Sequence, residues 1–430
     1  MRQNHHQKFQ KAQIELLELL HSTNLEGNKF PVELGISRVK SALEKFENPQ
    51  NKFKIIHIAG TSGKGSTAFI LSKALSSLKF KVGLTLSPHV LNIRERIQIN
   101  NEMISEEDFA SLYFEVKNQI IKLSLTYFEI LSVMAFVYFR RHSVDYGVIE
   151  TGLGGIYDAS NVIENKNKVC IITRIGLDHT HILGDSLEKI AYQKAGIIGF
   201  KNTTFTITQN ENILKVFKDR AIQQDADLKI VSIKNHPKIK IGLIGEYQQE
   251  NASLALKVVE FLSLRDQFQI NINSIKTILS NIKLFGRFTE TKLPGLDNVV
   301  ILDGAHNPQK IQAFTNAVKE RYPKSNLIFV LAFKHGKDIT ENLKPIIEIA
   351  DKIFLTTYKD EKNKYLPNDT NITDLKASIK SLNFENYEIE PNLNKLIEKF
   401  KNSKNEIENN VIIFTGSFYL IGRIAREYDI

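Results

Sequence analysis

A strand-like run that ends in a glycine-rich turn and reopens as a helix restricts the fold of this chain most. In KFKIIHIA, residues 52–59, apolar residues run together as in a buried strand. Gly60, Gly63 and Gly65 follow, and KGSTAFILSKALSSL continues with helical spacing. The same alternation recurs downstream. KVGLTLS, DYGVIE and KVCIITRI read as further buried strands, separated by helical patterns at 106–122, 127–141 and 186–197. Alternating strands and helices predict an α/β fold with a mostly parallel sheet covered by helices.

A second series starts near residue 296, with NVVILDGA, NLIFVLAF, DKIFLTTY and NVIIFTGS as strands. LFGRFTETKLPGLDN, rich in turn residues and without periodicity, marks the join. The expected domains are 1–295 and 296–430, with ligands bound beyond the carboxyl ends of the strands and in a cleft between the two.

The loop 57–67 departs from the ordinary Walker pattern, because Gly65 follows Lys64 and the hydroxyls Ser66 and Thr67 come one place late. Its position after a strand and before a helix still predicts phosphate binding. Glycines present backbone N–H groups, the helix N-terminus adds partial positive charge, and Lys64 adds a full one. Other function classes recede. The net charge of +9 is scattered among acids rather than gathered in a stripe, so no nucleic-acid track is expected, whereas small anionic substrates suit it. YFEILSVMAFVYF is too short to span a membrane and carries Glu129, and MRQNHHQKFQ lacks the apolar core of a signal. A single cysteine, Cys170, forbids an internal disulfide and fits a reducing, cytoplasmic setting.

Several stretches in order carry a resemblance: AGTSGKGST, LSPHVLNIRERI, TYFEILSVMAF, ETGLGGIYDASNVI, IGLDHTHILGDSLEKIAYQKAGII, LDGAHNP and TGSFYLIGR. Together they resemble the folylpolyglutamate synthase/dihydrofolate synthase family, the folate branch of the Mur ligase superfamily. Ser62 stands where folate enzymes more often carry Asn. The resemblance implies a larger N-terminal ATP-binding domain and a smaller Rossmann-like C-terminal one. It implies ATP-dependent addition of L-glutamate to dihydropteroate, or to the γ-carboxylate of a folate, by a cytoplasmic, monomeric protein with small-molecule partners only. A bifunctional enzyme is expected.

Activating a carboxylate with ATP needs positioning and charge neutralisation. Glu150, ending a buried strand before three glycines, suits Mg²⁺. The resemblance implies Ser87, Glu150 and His179 as ligands of two magnesium ions, and a possible monovalent cation. Lys194 matches a lysine that CO₂ converts to N6-carboxylysine, and Lys64, Lys194 and His306 are the catalytic expectations. Thr61, Ser62, Gly63, Lys64, Gly65, Ser66, Asn251, Arg287 and Asp303 are expected at ATP. Asn251 reads equally well as a helix N-cap. Glu33, Leu34, Gly35, Thr126, Tyr127, Phe128, Glu129, Tyr157, Asp158 and Ala159 are expected at the pteroyl acceptor. Thr126 and Glu129 also form a capping box, and Tyr127 and Phe128 stack or simply pack. Ile156 stands where the family usually has Arg. Rival readings are a Mur ligase acting on a UDP-sugar-linked acceptor, a kinase, and a non-catalytic nucleotide-binding regulator.

Overall fold

The computed structural model describes residues 2–25, 34–232, 239–359, 366–402 and 410–430. The chain forms two compact units, one of residues 1–241 and 248–281, the other of 242–247 and 282–430.

In the first unit, eight strands among the described residues make one sheet. They are β1 (Lys54–Ala59), β2 (Val82–Thr85), β3 (Gln98–Ile99), β4 (Glu102–Met103), β5 (Tyr146–Glu150), β6 (Val169–Ile172), β7 (Thr203–Ile207) and β8 (Asp227–Val231). Their order is β4-β3-β2-β5-β1-β6-β7-β8. All neighbours from β2 to β8 are parallel, and only the β2–β3 and β3–β4 pairs run antiparallel. Apart from Lys54 the central strands are buried, which is why β1, β5 and β6 read as mostly apolar runs.

Helices pack around this sheet. One core cluster joins Ile55 and Ile149 to Phe109, Tyr113, Phe136 and Phe139; another joins Ala59, Cys170 and Ile172 to Ile190, Ile197 and Phe217. The helix Tyr127–Arg141 starts where the sequence places it. Thr126 accepts from the Glu129 N–H, and Glu129 accepts from the Thr126 N–H.

The chain leaves β1 toward β2 on one side of the sheet and reaches β6 on the other. This reversal sets the carboxyl ends of β2, β5, β1 and β6 side by side, the place where open α/β sheets take ligands.

The second unit has β9 (Thr289–Thr291), β10 (Val299–Leu302), β11 (Asn326–Leu331), β12 (Lys352–Leu355), β13 (Tyr387–Ile389) and β14 (Asn410–Thr415). Their order is β13-β12-β11-β14-β10-β9, parallel except for β9 against β10. Its longer stretch starts at Ile282, with 242–247 joining it. Within that stretch the three-residue edge strand Thr289–Thr291 pairs with Val300–Leu302, which draws the aperiodic segment into the second sheet.

Candidate functional site

Four adjacent strand ends of the first unit carry the expected groups. The phosphate loop follows β1, Ser87 follows β2, Glu150 closes β5, and the segment with Asp178 and His179 follows β6.

The loop is held from below. Thr61 and Ser62 N–H both donate to the Arg174 carbonyl, at 2.9 and 3.2 Å, and Thr61 Oγ1 donates to the Gly176 carbonyl at 3.0 Å. Gly63, at φ +90°, turns the chain into the helix Lys64–Ser77. A Cβ at Gly63 would lie 2.3 Å from Asn251 Oδ1. Thr67 Oγ1 donates to that same oxygen at 3.3 Å, and Asn251 Nδ2 donates to Gln248 Oε1 at 2.9 Å. Lys64 begins the helix, and its Nζ reaches the Gly60 carbonyl at 3.0 Å.

Asn251 therefore does not cap a helix. The helix starts at Glu246, and Asn251 lies buried within it against the loop. The N-cap reading missed the earlier start because Glu246–Glu250 carries no apolar residue except Tyr247.

Glu150 is buried beside the same helix N-terminus. A Cβ at Gly65 would stand 3.4 Å from Glu150 Oε2, and that oxygen accepts from the Ser87 N–H at 2.7 Å. The Glu150 carboxylate thus lies at the start of the helix, where a negative charge is favoured, with the Ser87 backbone held against it. Among the described residues no three His, Cys, Asp or Glu side chains gather into a ready cage. A buried carboxylate is the donor type that Mg²⁺ takes alongside water and phosphate oxygens.

His179 sits at φ +51°, with its N–H on Asp178 Oδ1 at 3.0 Å and its ring 6.3 Å from that of His181. Lys194 is buried on the helix Leu187–Ala195. The 150–160 loop docks closely on that helix. A Cβ at Gly155 would meet the Gln193 and Lys194 carbonyls at 2.5 and 2.8 Å, and the Ile156 N–H donates to Gln193 O at 2.9 Å. Ile156 itself packs on Gly196, where a Cβ would touch its Cγ1 at 2.3 Å. Ile156 thus makes an apolar contact here.

The acceptor residues divide. Phe128 lines one pocket together with Ser87 and Glu150, and Arg96 and Ser160 are among its other polar residues. Tyr127 is buried under the Arg96 guanidinium, 5.5 Å from the ring centre, and burial raises its phenol pKa. Glu129 does not face this pocket's wall: its oxygens take Arg38 at 2.7 and 3.3 Å and the Thr126 N–H at 2.9 Å. Gly35 opens the Arg38 helix against it, since a Cβ there would be 2.8 Å from Glu129 Oε1.

Tyr157 is exposed and Ala159 buried. Asp158 is buried and closes its own loop, accepting from the Leu153 and Ser160 N–H groups at 2.8 and 2.9 Å. Burial raises its pKa against those hydrogen bonds. Glu33 lies outside the described residues, as does the side chain of Leu34.

Sequence reasoning overlooked Arg38, Arg96, Ser160 and His57. All but Arg38 lie within the quoted motifs, and none stands out there because an Arg, Ser or His beside apolar residues has no signature of its own.

In the second unit Asp303 follows β10 and Ser417 follows the neighbouring β14. Asp303 is buried and accepts from the Phe288 and Ala305 N–H groups, each at 2.8 Å. The Arg287 guanidinium lies 4.6 Å from the centre of the Phe418 ring, which also meets the His306 ring edge-on at 5.8 Å. His306 Nδ1 contacts the Gly304 carbonyl at 2.7 Å, and its Nε2 lies 3.1 Å from Lys310 Nζ. Arg287, Asp303 and His306 therefore form one cluster, to which Phe418 and Lys310 were not foreseen.

Burial pushes the Asp303 carboxyl up to about 6, against the lowering effect of Arg287. The folded state then holds a proton that the unfolded chain has released, so stability falls as pH rises from about 4 to about 6. The expected loss is about 2–3 kcal/mol. Thermal melts of wild type and Asp303→Asn across this window check it. The variant, less stable at low pH, should lose that slope, and an equal slope in both proteins would place its origin elsewhere.

The Mur ligase middle domain family matches residues 58–288, and the family described as dihydrofolate synthetase, C-terminal domain, matches 288–427. Dihydrofolate synthetase of Saccharomyces cerevisiae is 31% identical over 421 residues, covering 93% of this chain and 98% of the relative. Dihydrofolate synthase/folylpolyglutamate synthase of Bacillus subtilis is 30% identical over 428 residues, covering 93% and 96%. Folylpolyglutamate synthase of Thermotoga maritima superposes with a TM-score of 0.74 at 28% identity, over 92% of this chain and 93% of that one. The Mycobacterium tuberculosis folylpolyglutamate synthase complexed with ADP and AMPPCP shares the fold, with a TM-score of 0.83 at 24% identity over 92% and 95%. With both units matched in order and relatives aligned almost end to end, the chain belongs to the dihydrofolate synthetase/folylpolyglutamate synthase family, built on a Mur ligase middle domain.

Proposed function

We propose that this protein is an ATP-dependent ligase that joins L-glutamate to a pteroyl carboxylate. The observation that carries the reading is the single sheet edge shared by the phosphate loop, Glu150 with Ser87, and the pocket wall of Phe128. A triphosphate and an aromatic acceptor bound there would lie side by side.

The acceptor carboxylate attacks the γ-phosphorus of ATP and ADP leaves; the glutamate amine then attacks the acyl carbon, phosphate departs, and loss of the amine's proton leaves the amide. Gly63, Gly65 and Ser66 present backbone N–H groups to the triphosphate, Thr61 and Ser62 hold the loop in place through the Arg174 carbonyl, and Lys64 supplies positive charge. Asn251 holds the loop's shape. Ser87, Glu150 and His179 are the side chains assigned to Mg²⁺, which neutralises phosphate charge when bound. Lys194 joins them as N6-carboxylysine, a carboxylate where a bare ammonium would repel the metal. An ATP-complex density map checks this: it should show the carbamate, and an unmodified Lys194 turned away would remove it.

Phe128 is assigned to the pteroyl group, together with Tyr157, Asp158 and Ala159, while Thr126 and Glu129 fix the start of the helix that carries it. Arg287, Asp303 and His306 are the second unit's assigned contribution to phosphate chemistry. We assign dihydropteroate as the first acceptor, supported by the dihydrofolate synthetase family match of the second unit. Extension of folates at the γ-carboxylate is the second activity, supported by the doubly named Bacillus subtilis relative. No helix among the described residues is long and apolar enough to cross a membrane, and we place the enzyme in the cytoplasm as a monomer.

Incubation with ATP, Mg²⁺, labelled glutamate and either dihydropteroate or tetrahydrofolate tests this. Label should enter both products. Incorporation with one acceptor alone would remove the second activity, and none with either would reject the ligase reading.

A further inference from the structure

Strand β1 carries one polar side chain that the fold hides completely. His57 stands between Ile56 and Ile58, three residues before Gly60, and pairs in register with Ile149 of β5 and Cys170 of β6. A core position in a central parallel strand is ordinarily apolar, so a histidine there needs an account.

Its ring reaches across to the 150–160 loop. His57 Nε2 lies 2.8 Å from Ser160 Oγ, and Ser160 Oγ–H donates in a short hydrogen bond to Asp158 Oδ1. The proton positions follow by counting. Asp158 already accepts from the Leu153 and Ser160 N–H groups, which favour its ionised form. The single hydroxyl proton of Ser160 goes to that carboxylate, so Ser160 Oγ is left to accept from His57. Nε2 therefore carries the ring proton, and Nδ1 is the bare nitrogen, with no partner among the described residues. Burial, with a smaller contribution from Lys168, holds the imidazole pKa well below its usual value, consistent with a neutral ring.

We propose that His57 is a positioning residue for the ligase reaction: through Ser160 and Asp158 it fixes the acceptor-side loop to the strand from which the phosphate loop springs. Ser160 lines the pocket with Ser87, Phe128 and Glu150, so the chain His57–Ser160–Asp158 runs from the root of the phosphate loop to the acceptor wall. Its effect is a fixed spacing between the two substrates' seats, which is what in-line transfer from ATP to a carboxylate requires. The inference rests on the acceptor reading given under Proposed function.

Full-length wild type, His57→Phe, His57→Gln, Ser160→Ala and the His57→Phe/Ser160→Ala double variant are compared. Each is assayed for kcat, for KM of dihydropteroate, ATP and glutamate, for dihydropteroate binding by equilibrium dialysis, and for Tm. His57→Phe and Ser160→Ala should each raise the dihydropteroate KM about tenfold while the ATP KM moves less than about twofold. The double variant should be no worse than either single one, since both break the same chain. His57→Gln should stay within about threefold of wild type, because its terminal amide N–H reaches where Nε2–H stood.

Additive losses, a Gln variant as poor as Phe, or equal rises in all three KM values following Tm would overturn the proposal and leave His57 a packing residue. Should His57→Phe fail to fold, Ser160→Ala, which removes one hydroxyl, decides alone. Wild type that ligates glutamate beside variants that match it defeats this inference only. Wild type that binds no dihydropteroate defeats the acceptor reading and this inference with it.

Discussion

Glu150→Gln should lower the rate of glutamate ligation roughly 100- to 1,000-fold, the scale of losing one aligned charge at a phosphoryl-transfer site. The carboxylate is buried, lies beside Gly65 at the helix start, and accepts from the Ser87 N–H at 2.7 Å. The amide keeps an oxygen for Ser87, so the fold should survive with a change of about 1 kcal/mol or less. The negative charge needed to hold magnesium is gone. Steady-state kinetics over a range of Mg²⁺, beside a thermal melt, check this. A folded variant with an unchanged rate would take Glu150 out of the metal site.

Gly63→Ala should be the most damaging single methyl in the loop. Its φ of +90° already costs an alanine about 1–2 kcal/mol. The new Cβ would also stand 2.3 Å from Asn251 Oδ1, far inside contact distance, so the loop or Asn251 must move. Either shift breaks the Thr67–Asn251 hydrogen bond that sets the helix start under the loop. We expect nucleotide affinity to fall at least about tenfold, and ligation with it. Titration with a non-hydrolysable ATP analogue measures the affinity. Adding Asn251→Ala opens the space without changing φ, so part of the loss should return. Unchanged affinity in Gly63→Ala would mean that the loop does not grip phosphate in this form.

What could be read from the sequence follows from what makes a local signal. Strands β1, β5 and β6 were plain because a strand buried on both faces is mostly apolar, and the helix Tyr127–Arg141 because Thr126 and Glu129 announce its start. Strand β9 was hidden: Thr-Glu-Thr has no apolar alternation, and its pairing with β10 comes from the chain's return, not from its residues.

The site shows the same division. Glycines, Lys64 and Glu150 stand at strand ends, where position alone is informative. The Arg38–Glu129 pair joins residues 91 apart, and His57–Ser160 residues 103 apart. No spacing rule links such partners, and only the folded sheet brings them together. Asn251 shows a third case, in which a good local reading as a cap gave way because the helix began at Glu246.

The most direct test of the acyl-phosphate account uses dihydropteroate labelled with ¹⁸O in its carboxylate, together with ATP, Mg²⁺ and glutamate. The carboxylate oxygen that attacks phosphorus should leave in inorganic phosphate, giving one labelled oxygen per amide formed. Amide formation with unlabelled phosphate would contradict carboxylate attack on the γ-phosphate, and with it the role given to the phosphate loop beside Glu150.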